Sequence, residues 1–550
     1  DGIDFFTLSW GGDLAIVGAS VGGSEQSQLF LVDTRTGRRR QLTNKPEARY
    51  GMVVWAKDDR SIYYRSNEKN GRDFYIYHMN LADGKTEEIF GNDSTLDGSK
   101  WIANMSQDGT KLIISRALSN TDNELWLLDL PSGQYTALTK DSGDVLYEAP
   151  VLMPDNKNIL LLCNDNPEGR LRLAWMEVGS PDVHFVNDGW IDPRWEIDDM
   201  VVSRDYRYIT VRVNENGYAR LKAREIESKL ELPSPPLDGM LSGGYFDSSG
   251  TCVFTYSGPT QAPDVWRWNP ADSELTQLTF TSYAGIDRTT FIMPKLVSFR
   301  SFDSLEIPAF LYLPPGYEEG TPVPFLVYAH GGPESQFRPG FYRNFQYFLL
   351  NGYGILAVNP RGSSGYGKTY RDLDNYKNRK HSLMDYKAAV DWLIANGYTR
   401  HGMIGIRGGS YGGYVVLGMI TEYPDLFAAA ADAVGIANFK TFLENTKPYR
   451  RYLREAEYGP LSDSAFLMEI SPITKADRIK TPLLVIHGEN DPRVPVEEAR
   501  QIIKAIRDNG GVVDSLIFPD EGHGVAKRGN IIVRYRKEAA FFDRYLKKPQ

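Results

Sequence analysis

Over its first 285 or so residues the chain repeats on a beat of 47–48 residues, and a repeat of that length leaves few folds open. Leu29-Phe30-Leu31-Val32-Asp33-Thr34-Arg35-Thr36-Gly37 leads to Gln41-Leu42-Thr43. Leu125-Trp126-Leu127-Leu128-Asp129-Leu130-Pro131-Ser132-Gly133 leads to Ala137-Leu138-Thr139, and a third copy closes with Gln277-Leu278-Thr279. From Thr43 to Thr139 is 96 residues, two units of 48; from Thr139 to Thr279 is 140, three of about 47. Weaker copies, Asp83-Gly84 before Ile89-Phe90 and Lys229-Leu230-Glu231-Leu232, fill the gaps. A second marker, a polar turn running into an apolar strand, keeps the same time. It begins at Asp58, Asp108, Asp155 and Asp205, and again at Ser249-Gly250-Thr251. Several short strands per unit at this period are the signature of propeller blades, because so small a sheet cannot bury both faces and must stack on its neighbours. Six blades are visible in residues 1–285; a seventh would need material upstream of Asp1 or a poorly matching segment.

From about Pro294 the rhythm changes. Strand-like Ala309–Leu313 gives way to alternating apolar runs and amphipathic helices: 323–329, 354–358, the helix 383–396, 428–434, 482–487, 515–518 and a closing helix 531–546. Continuous apolar strands separated by helices predict a mostly parallel sheet covered on both faces, so residues 286–550 read as an α/β-hydrolase domain. Net charge is −9 and Arg38-Arg39-Arg40 is the only cationic triplet, which excludes a nucleic-acid partner. No apolar run is long enough for a membrane span. The two cysteines, Cys163 and Cys252, sit in apolar strands and read as buried thiols, which favours a reducing, cytoplasmic setting. A start at Asp1, without methionine, leaves room for a removed leader. Oligomeric state is not readable.

The second half carries the chemistry. Gly408-Gly409-Ser410-Tyr411-Gly412-Gly413 lies between apolar 403–406 and 414–420 and fits G-x-S-x-G, a strand–turn–helix nucleophile elbow. A serine at the apex of so sharp a turn needs neighbours without side chains. The N–H of Tyr411, at a helix start, can meet a developing oxyanion. In this fold the triad runs Ser, acid, His, each at a strand end. Asp491 follows the apolar run 483–486, and His523, between Gly522 and Gly524, follows the strand 515–518. His487 precedes the acid and so breaks the order. Glu489, Asp520 and Glu521 are rival orienting acids, while His78, His184, His381 and His401 lie among packing or polar residues without ligand-like partners. His330-Gly331-Gly332-Pro333, after the strand 325–329, matches the HGGG-type loop, whose backbone N–H would be the second oxyanion donor. Neither a metal nor an organic cofactor is implied.

With His330–Pro333, Asn359-Pro360-Arg361-Gly362-Ser363-Ser364-Gly365-Tyr366-Gly367, the elbow, His487–Pro495 and Gly522-His523 in view, the chain resembles serine peptidases of the prolyl oligopeptidase family, most of all the acylaminoacyl-peptidase branch. The resemblance spans most of residues 300–530. It implies Ser410 as nucleophile, His523 as base, Asp491 as orienting acid, and the N–H groups of Gly332 and Tyr411 as oxyanion hole. Arg493, two residues past the acid, would bind a substrate carbonyl. The family's propeller caps the active site and limits substrates to short peptides. Two departures stand out: six blades instead of seven, and no clear counterpart of the paired glutamates that hold a free amino terminus in dipeptidyl peptidases. Glu87-Glu88, the one such pair in the propeller, falls in a strand-like run, which leans away from dipeptidyl release.

The expected activity is hydrolysis of short peptides or N-acylated amino acids through an acyl-enzyme. The rivals are a carboxylesterase with the same triad, dipeptidyl or aminopeptidase specificity, and a silent hydrolase domain behind a propeller used for binding. The segment from Asn438 to Tyr452 is rich in aromatics. Phe439, Phe442 and Tyr452 are candidates to line an apolar specificity pocket, and core packing accounts for them equally well.

Overall fold

The computed structural model describes residues 2–91, 94–140, 143–246 and 250–547. Ser249, the first residue of the last turn marker, and Asp1 lie outside them. Residues 2–41, 50–90, 99–137, 147–185, 196–232 and 240–277 each form one four-stranded antiparallel meander. These are the six blades of an N-terminal β-propeller.

The sequence repeat turns out to be a repeated pair of hydrogen bonds. Leu42, Leu138 and Leu278 donate their N–H to the carbonyls of Leu29, Leu125 and Val265, each at 2.8 Å. The threonine that follows accepts the N–H of that same strand residue, at 2.9, 2.9 and 2.8 Å. The Leu-Thr pair thus fastens the last strand to the third in the first, third and sixth blades. The second marker is an Asx-turn. Asp58, Asp108, Asp155 and Asp205 accept the N–H two residues on, at 3.0, 2.9, 2.9 and 3.1 Å.

Blades stack through the two faces of a strand. In Lys111–Ala117 of the third blade, Leu112 and Ile114 pack with Ile76 and Phe90 of the second. Ile113 faces the other way, into Leu152, Ile159 and Leu161 of the fourth. The chain falls into two compact units: residues up to Trp190 with Thr446–Ala456, and Ile191–Asn445 with the residues from Glu457 onward. The first unit holds four blades; the second holds the last two and the hydrolase sheet. Packing therefore divides the chain near 190, whereas the sequence pattern changes near 285.

The hydrolase sheet contains β1 (Lys295–Arg300), β2 (Glu306–Tyr312), β3 (Phe325–Ala329), β4 (Gly354–Val358), β5 (Ile404–Gly409), β6 (Ala429–Ala433), β7 (Leu483–Gly488) and β8 (Val513–Phe518). Their spatial order is β1-β2-β4-β3-β5-β6-β7-β8. β1 and β2 run antiparallel to their neighbours; β3 to β8 are parallel. The helices used below are α1 (Arg343–Leu350), α2 (His381–Ala395), α3 (Tyr411–Glu422), α4 (Phe439–Asn445), α5 (Val496–Asp508) and α6 (Arg528–Leu546). Val327, Ile406, Ala430 and Val485 face α2, α3 and α5. Leu326, Ile355, Ala431 and Leu484 face α1 and α6. Burial on both faces is why these strands read as continuous apolar runs. Strand β1 and helices α1, α4 and α5 were not read from the sequence. Of these, α5 carries the longest periodic signal, the stripe Val496, Ala499, Ile502, Ile503 and Ile506 at helical spacing, and α1 a shorter one, Phe345, Phe348 and Leu349.

Candidate active site

Register brings the candidate residues to one edge. Ala329 pairs with Gly408, Gly409 with Ala433, Ala433 with Ile486, and Gly488 with Phe518, so β3, β5, β6, β7 and β8 end together. Ser410, His330, Asp491 and His523 all leave from these carboxyl ends, where open α/β sheets place their sites.

Ser410 has φ 60° and ψ −122°, a conformation side chains rarely adopt. The surroundings hold it there. Its N–H donates to Ala433 O at 2.9 Å, and its carbonyl accepts Gly413 and Tyr414 as α3 begins. A Cβ on Gly408 would lie 2.3 Å from Gly412 O, and one on Gly412 2.1 Å from Ala329 O, so the two glycines of G-x-S-x-G are steric requirements. Gly409, the variable position, would meet only ordinary contacts.

Ser410 Oγ lies 3.0 Å from His523 Nε2, and His523 Nδ1 lies 2.7 Å from Asp491 Oδ2. The other carboxylate oxygen of Asp491 accepts the N–H groups of Arg493 and Val494 at 2.8 and 3.0 Å. The acid is thus fixed by its own loop, with one oxygen left for the imidazole. It can then hold Nδ1 as the proton-bearing nitrogen and leave Nε2 free to accept the serine proton. The His523 side chain keeps 11% of its surface exposed, enough for a reactant to reach it.

Two backbone donors stand beside the serine. Among the described residues, the N–H groups of Gly332 and Tyr411 have no protein acceptor. The loop of Gly332 packs on the elbow: a Cβ on Gly331 would touch Gly409 O at 3.1 Å and Ser410 Cβ at 3.4 Å. His330 fastens this loop, with Nδ1 2.8 Å from Gly331 O and Nε2 3.1 Å from the Ser363 hydroxyl. Burial pushes its pKa down to about 4, so the ring is neutral. Gly331 O can only accept, which places the ring proton on Nδ1. Tyr411 is anchored by its phenol, which donates to Asp374 Oδ2 at 2.9 Å; Arg379 binds the same oxygen at 2.6 Å. Burial raises Asp374 to about 7 in spite of that arginine. No sequence signal pointed to Asp374 or Arg379, because the pair meets Tyr411 only in three dimensions.

The rivals go elsewhere. His487 is buried, with Nε2 2.9 Å from Val494 O and 3.6 Å from Asp491, and burial lowers its pKa. Glu489 pairs with Arg500 and Asp520 with Lys527, while the Glu521 carboxylate accepts the N–H groups of Ala526 and Lys527. His78 lies 3.2 Å from Glu87, and His184 stacks on Trp175. Glu88, the other half of the sequence pair, binds Lys69 at 3.0 Å. Arg493 is exposed in the Asp491 loop. The specificity-pocket reading needs correction. Phe439 and Phe442 are 0% and 3% exposed and pack on Tyr414 and Tyr458, because α4 turns its apolar face into the core. Tyr452 belongs to the other compact unit, where its hydroxyl accepts the N–H of Ser99 at 3.0 Å. In the Asn359–Gly367 motif, Arg361 is structural, buried against Asp385 and forked onto Asp303.

A propeller ahead of an α/β-hydrolase sheet, with serine, histidine and aspartate in one hydrogen-bonded line, is the plan of a serine hydrolase. The sequence matches the prolyl oligopeptidase family profile over residues 339–549 and the profile of that family's N-terminal β-propeller domain over residues 3–229. The chain belongs to the prolyl oligopeptidase family of serine peptidases. It is 28% identical to dipeptidyl aminopeptidase BIII of Pseudoxanthomonas mexicana, across 96% of this chain and 78% of that protein. It is 29% identical to an acylamino-acid-releasing enzyme of Arabidopsis thaliana, across 42% of this chain and 31% of that enzyme. A solved structure from a study of two prolyl endopeptidases shares the fold, with TM-score 0.88, 17% identity and coverage of 99% of this chain and 82% of that one. Among the described residues no helix is long and apolar enough to cross a membrane.

Proposed function

We propose that this chain, with a propeller over residues 1–285 and a catalytic domain over 286–550, hydrolyses short peptides or N-acylated peptides through an acyl-enzyme. Ser410 Oγ attacks the scissile carbonyl carbon while His523 Nε2 takes its proton. Asp491 orients the imidazole and stabilises its charged form, and the oxyanion sits between the N–H groups of Gly332 and Tyr411. The imidazolium then protonates the departing amine. Water, deprotonated by His523, attacks the ester carbon and releases Ser410 with its proton restored. The observation that carries this reading is the continuous line from Ser410 through His523 to Asp491 at 3.0 and 2.7 Å.

Arg493 is assigned to the carbonyl one residue upstream of P1, the residue that supplies the scissile carbonyl. Prolines 492 and 495 stiffen its loop, and a guanidinium suits a backbone carbonyl. Arg493→Ala should reduce kcat/KM on a peptide about 10- to 150-fold, the worth of a charged hydrogen bond, and leave a small ester without that carbonyl nearly unchanged. Equal losses on both would assign Arg493 to support of the Asp491 loop.

A second reading, release of dipeptides from a free amino terminus, is favoured by the similarity to dipeptidyl aminopeptidase BIII over 96% of this chain. Against it, Glu87 and Glu88 are engaged within their own blade. The deciding experiment labels the protein with a fluorophosphonate, with Ser410→Ala as control, and profiles peptides with free and acetylated ends. Labelling that survives in Ser410→Ala would overturn the nucleophile. Exclusive cleavage after the second residue of free-ended peptides would select the second reading.

A further inference from the structure

The loop that carries His523, from Pro519 to the start of α6 at Arg528, has little of its own to hold the imidazole. Gly522 and Gly524 flank the histidine, and Gly524 has φ 155°. Two carboxylates outside the triad, those of Glu521 and Asp520, close the loop. Glu521, only 3% exposed, turns its carboxylate across the loop. Oε2 accepts the N–H of Ala526 at 3.0 Å, and Oε1 accepts the N–H of Lys527 at 2.9 Å and the side-chain amide of Asn530 at 2.8 Å. The same amide reaches Asp520 Oδ1 at 3.0 Å. These partners lie at the start of α6, where donors are otherwise unsatisfied and negative charge is favoured.

The backbone of this loop is in turn tied to that of the acid. Asn490, adjacent to Asp491, donates its N–H to Glu521 O at 3.0 Å and its side-chain amide to Pro519 O at 3.1 Å. Gly488 leaves no room between the two loops, since a Cβ there would lie 2.2 Å from Gly522 O.

Taking His523 as the base, as above, we propose that Glu521 is a positioning residue for it: its buried carboxylate closes the histidine loop, so contacts outside the triad set the aim of the imidazole. Glu521 touches neither substrate nor reacting atoms. It acts by keeping Nδ1 on Asp491 and Nε2 on Ser410 in the resting enzyme, where a misplacement of about 1 Å can cost on the order of 100-fold.

The test uses Glu521→Gln, which keeps the shape but exchanges one acceptor oxygen for a donor, opposing the N–H of Ala526 or the donors of Lys527 and Asn530, and Glu521→Asp, which keeps the charge but shortens the reach. Fluorophosphonate titration counts active serines, so each rate is expressed per competent site. The expected result for Glu521→Gln is a kcat about 10- to 100-fold lower, with KM changed by less than about two-fold. The acid limb of kcat/KM should move to lower pH, because a looser bond to Asp491 stabilises the imidazolium less. Glu521→Asp should fall between the two. Wild-type kcat and an unmoved acid limb in Glu521→Gln would overturn the proposal. A reduced count of competent serines, each turning over at the wild-type rate, would overturn it too, since Glu521 would then serve folding alone. Turnover that survives His523→Ala would remove the base assignment itself, a failure distinct from wild-type behaviour in Glu521→Gln beside an inactive His523→Ala.

Discussion

Two kinds of tight turn in this molecule share a backbone torsion and little else. In the blades, Asp59, Asn156 and Tyr206 adopt φ of 57°, 54° and 57°; in the elbow, Ser410 adopts 60°. The blade turns are local solutions. An aspartate one residue earlier accepts the N–H of the residue after, so the backbone torsion is held within the turn, while the side chains of Asp59, Asn156 and Tyr206 are half-buried. The elbow is a non-local solution, held by Ala433 O on another strand and by glycines that clear Ala329 O and Gly412 O. A turn that satisfies itself can be repeated around a ring. A turn held from outside can carry strain and aim a reactive group.

The widest separation between the two should come from a methyl group. Gly412→Ala places a Cβ 2.1 Å from Ala329 O and is expected to abolish folded, labelling-competent enzyme. Gly133→Ala, at φ 69° in a blade turn with nothing within 4 Å, should cost only about 1–2 kcal/mol from the torsion. Denaturation midpoints and fluorophosphonate labelling read both, and a tolerated Gly412→Ala would break the contrast.

Histidines should separate next. His523→Ala is expected to lower kcat by about 10³-fold or more, on the scale of other triad deletions. His184→Ala, which removes a ring stacked on Trp175 in the fourth blade, should leave kcat unchanged. Steady-state kinetics on one anilide substrate would show it, and a large loss in both variants would mean the blade histidine is not a local feature.

A third difference is titratable. Asp432 lies under the first turn of α3, 1% exposed, with Oδ1 against Gly413 and Gly435. Burial raises its pKa from 3.8 to about 7. Between those values the native state holds a proton that the unfolded chain has lost. Stability is therefore fullest below pH 4 for this group and falls as pH rises towards 7, by at most about 1.4 kcal/mol per pH unit. Asp432→Asn removes that titration, so its melting temperature should fall less than the wild type's between pH 5 and 8. Parallel curves would show that Asp432 is not buried as an acid.

The smallest effect belongs to the blade fastener. Thr139→Val keeps the shape but strands the N–H of Leu125, which should cost about 1–3 kcal/mol in the melting transition with turnover per competent site unchanged. A change in that turnover would show that the blade fastener is not local.

The sequence by itself determined whatever depends on neighbours in the chain. The 47–48-residue beat was legible because the first, third and sixth blades make the same bonds between residues 13 or 14 apart, as Thr43 does with Leu29 and Thr139 with Leu125. The elbow was legible because its glycines are dictated by overlap within and beside the turn. The order of serine, acid and histidine at successive strand ends was legible because strands of a parallel sheet end together. The tertiary structure decided what depends on packing between distant segments. It chose Asp491 over Glu489, Asp520 and Glu521, all of which stand within reach in the chain, by turning each rival to a cation or to a helix start. It placed Phe439 and Phe442 in the core, since an aromatic helix face looks the same in sequence whether it meets a substrate or another helix. It brought Asp374 and Arg379 beneath Tyr411, and it divided the chain near residue 190 where the repeat pattern runs on without a break. Spacing along the chain fixes bonds made within a blade or a turn; which buried side chains meet is fixed only when the layers close on one another.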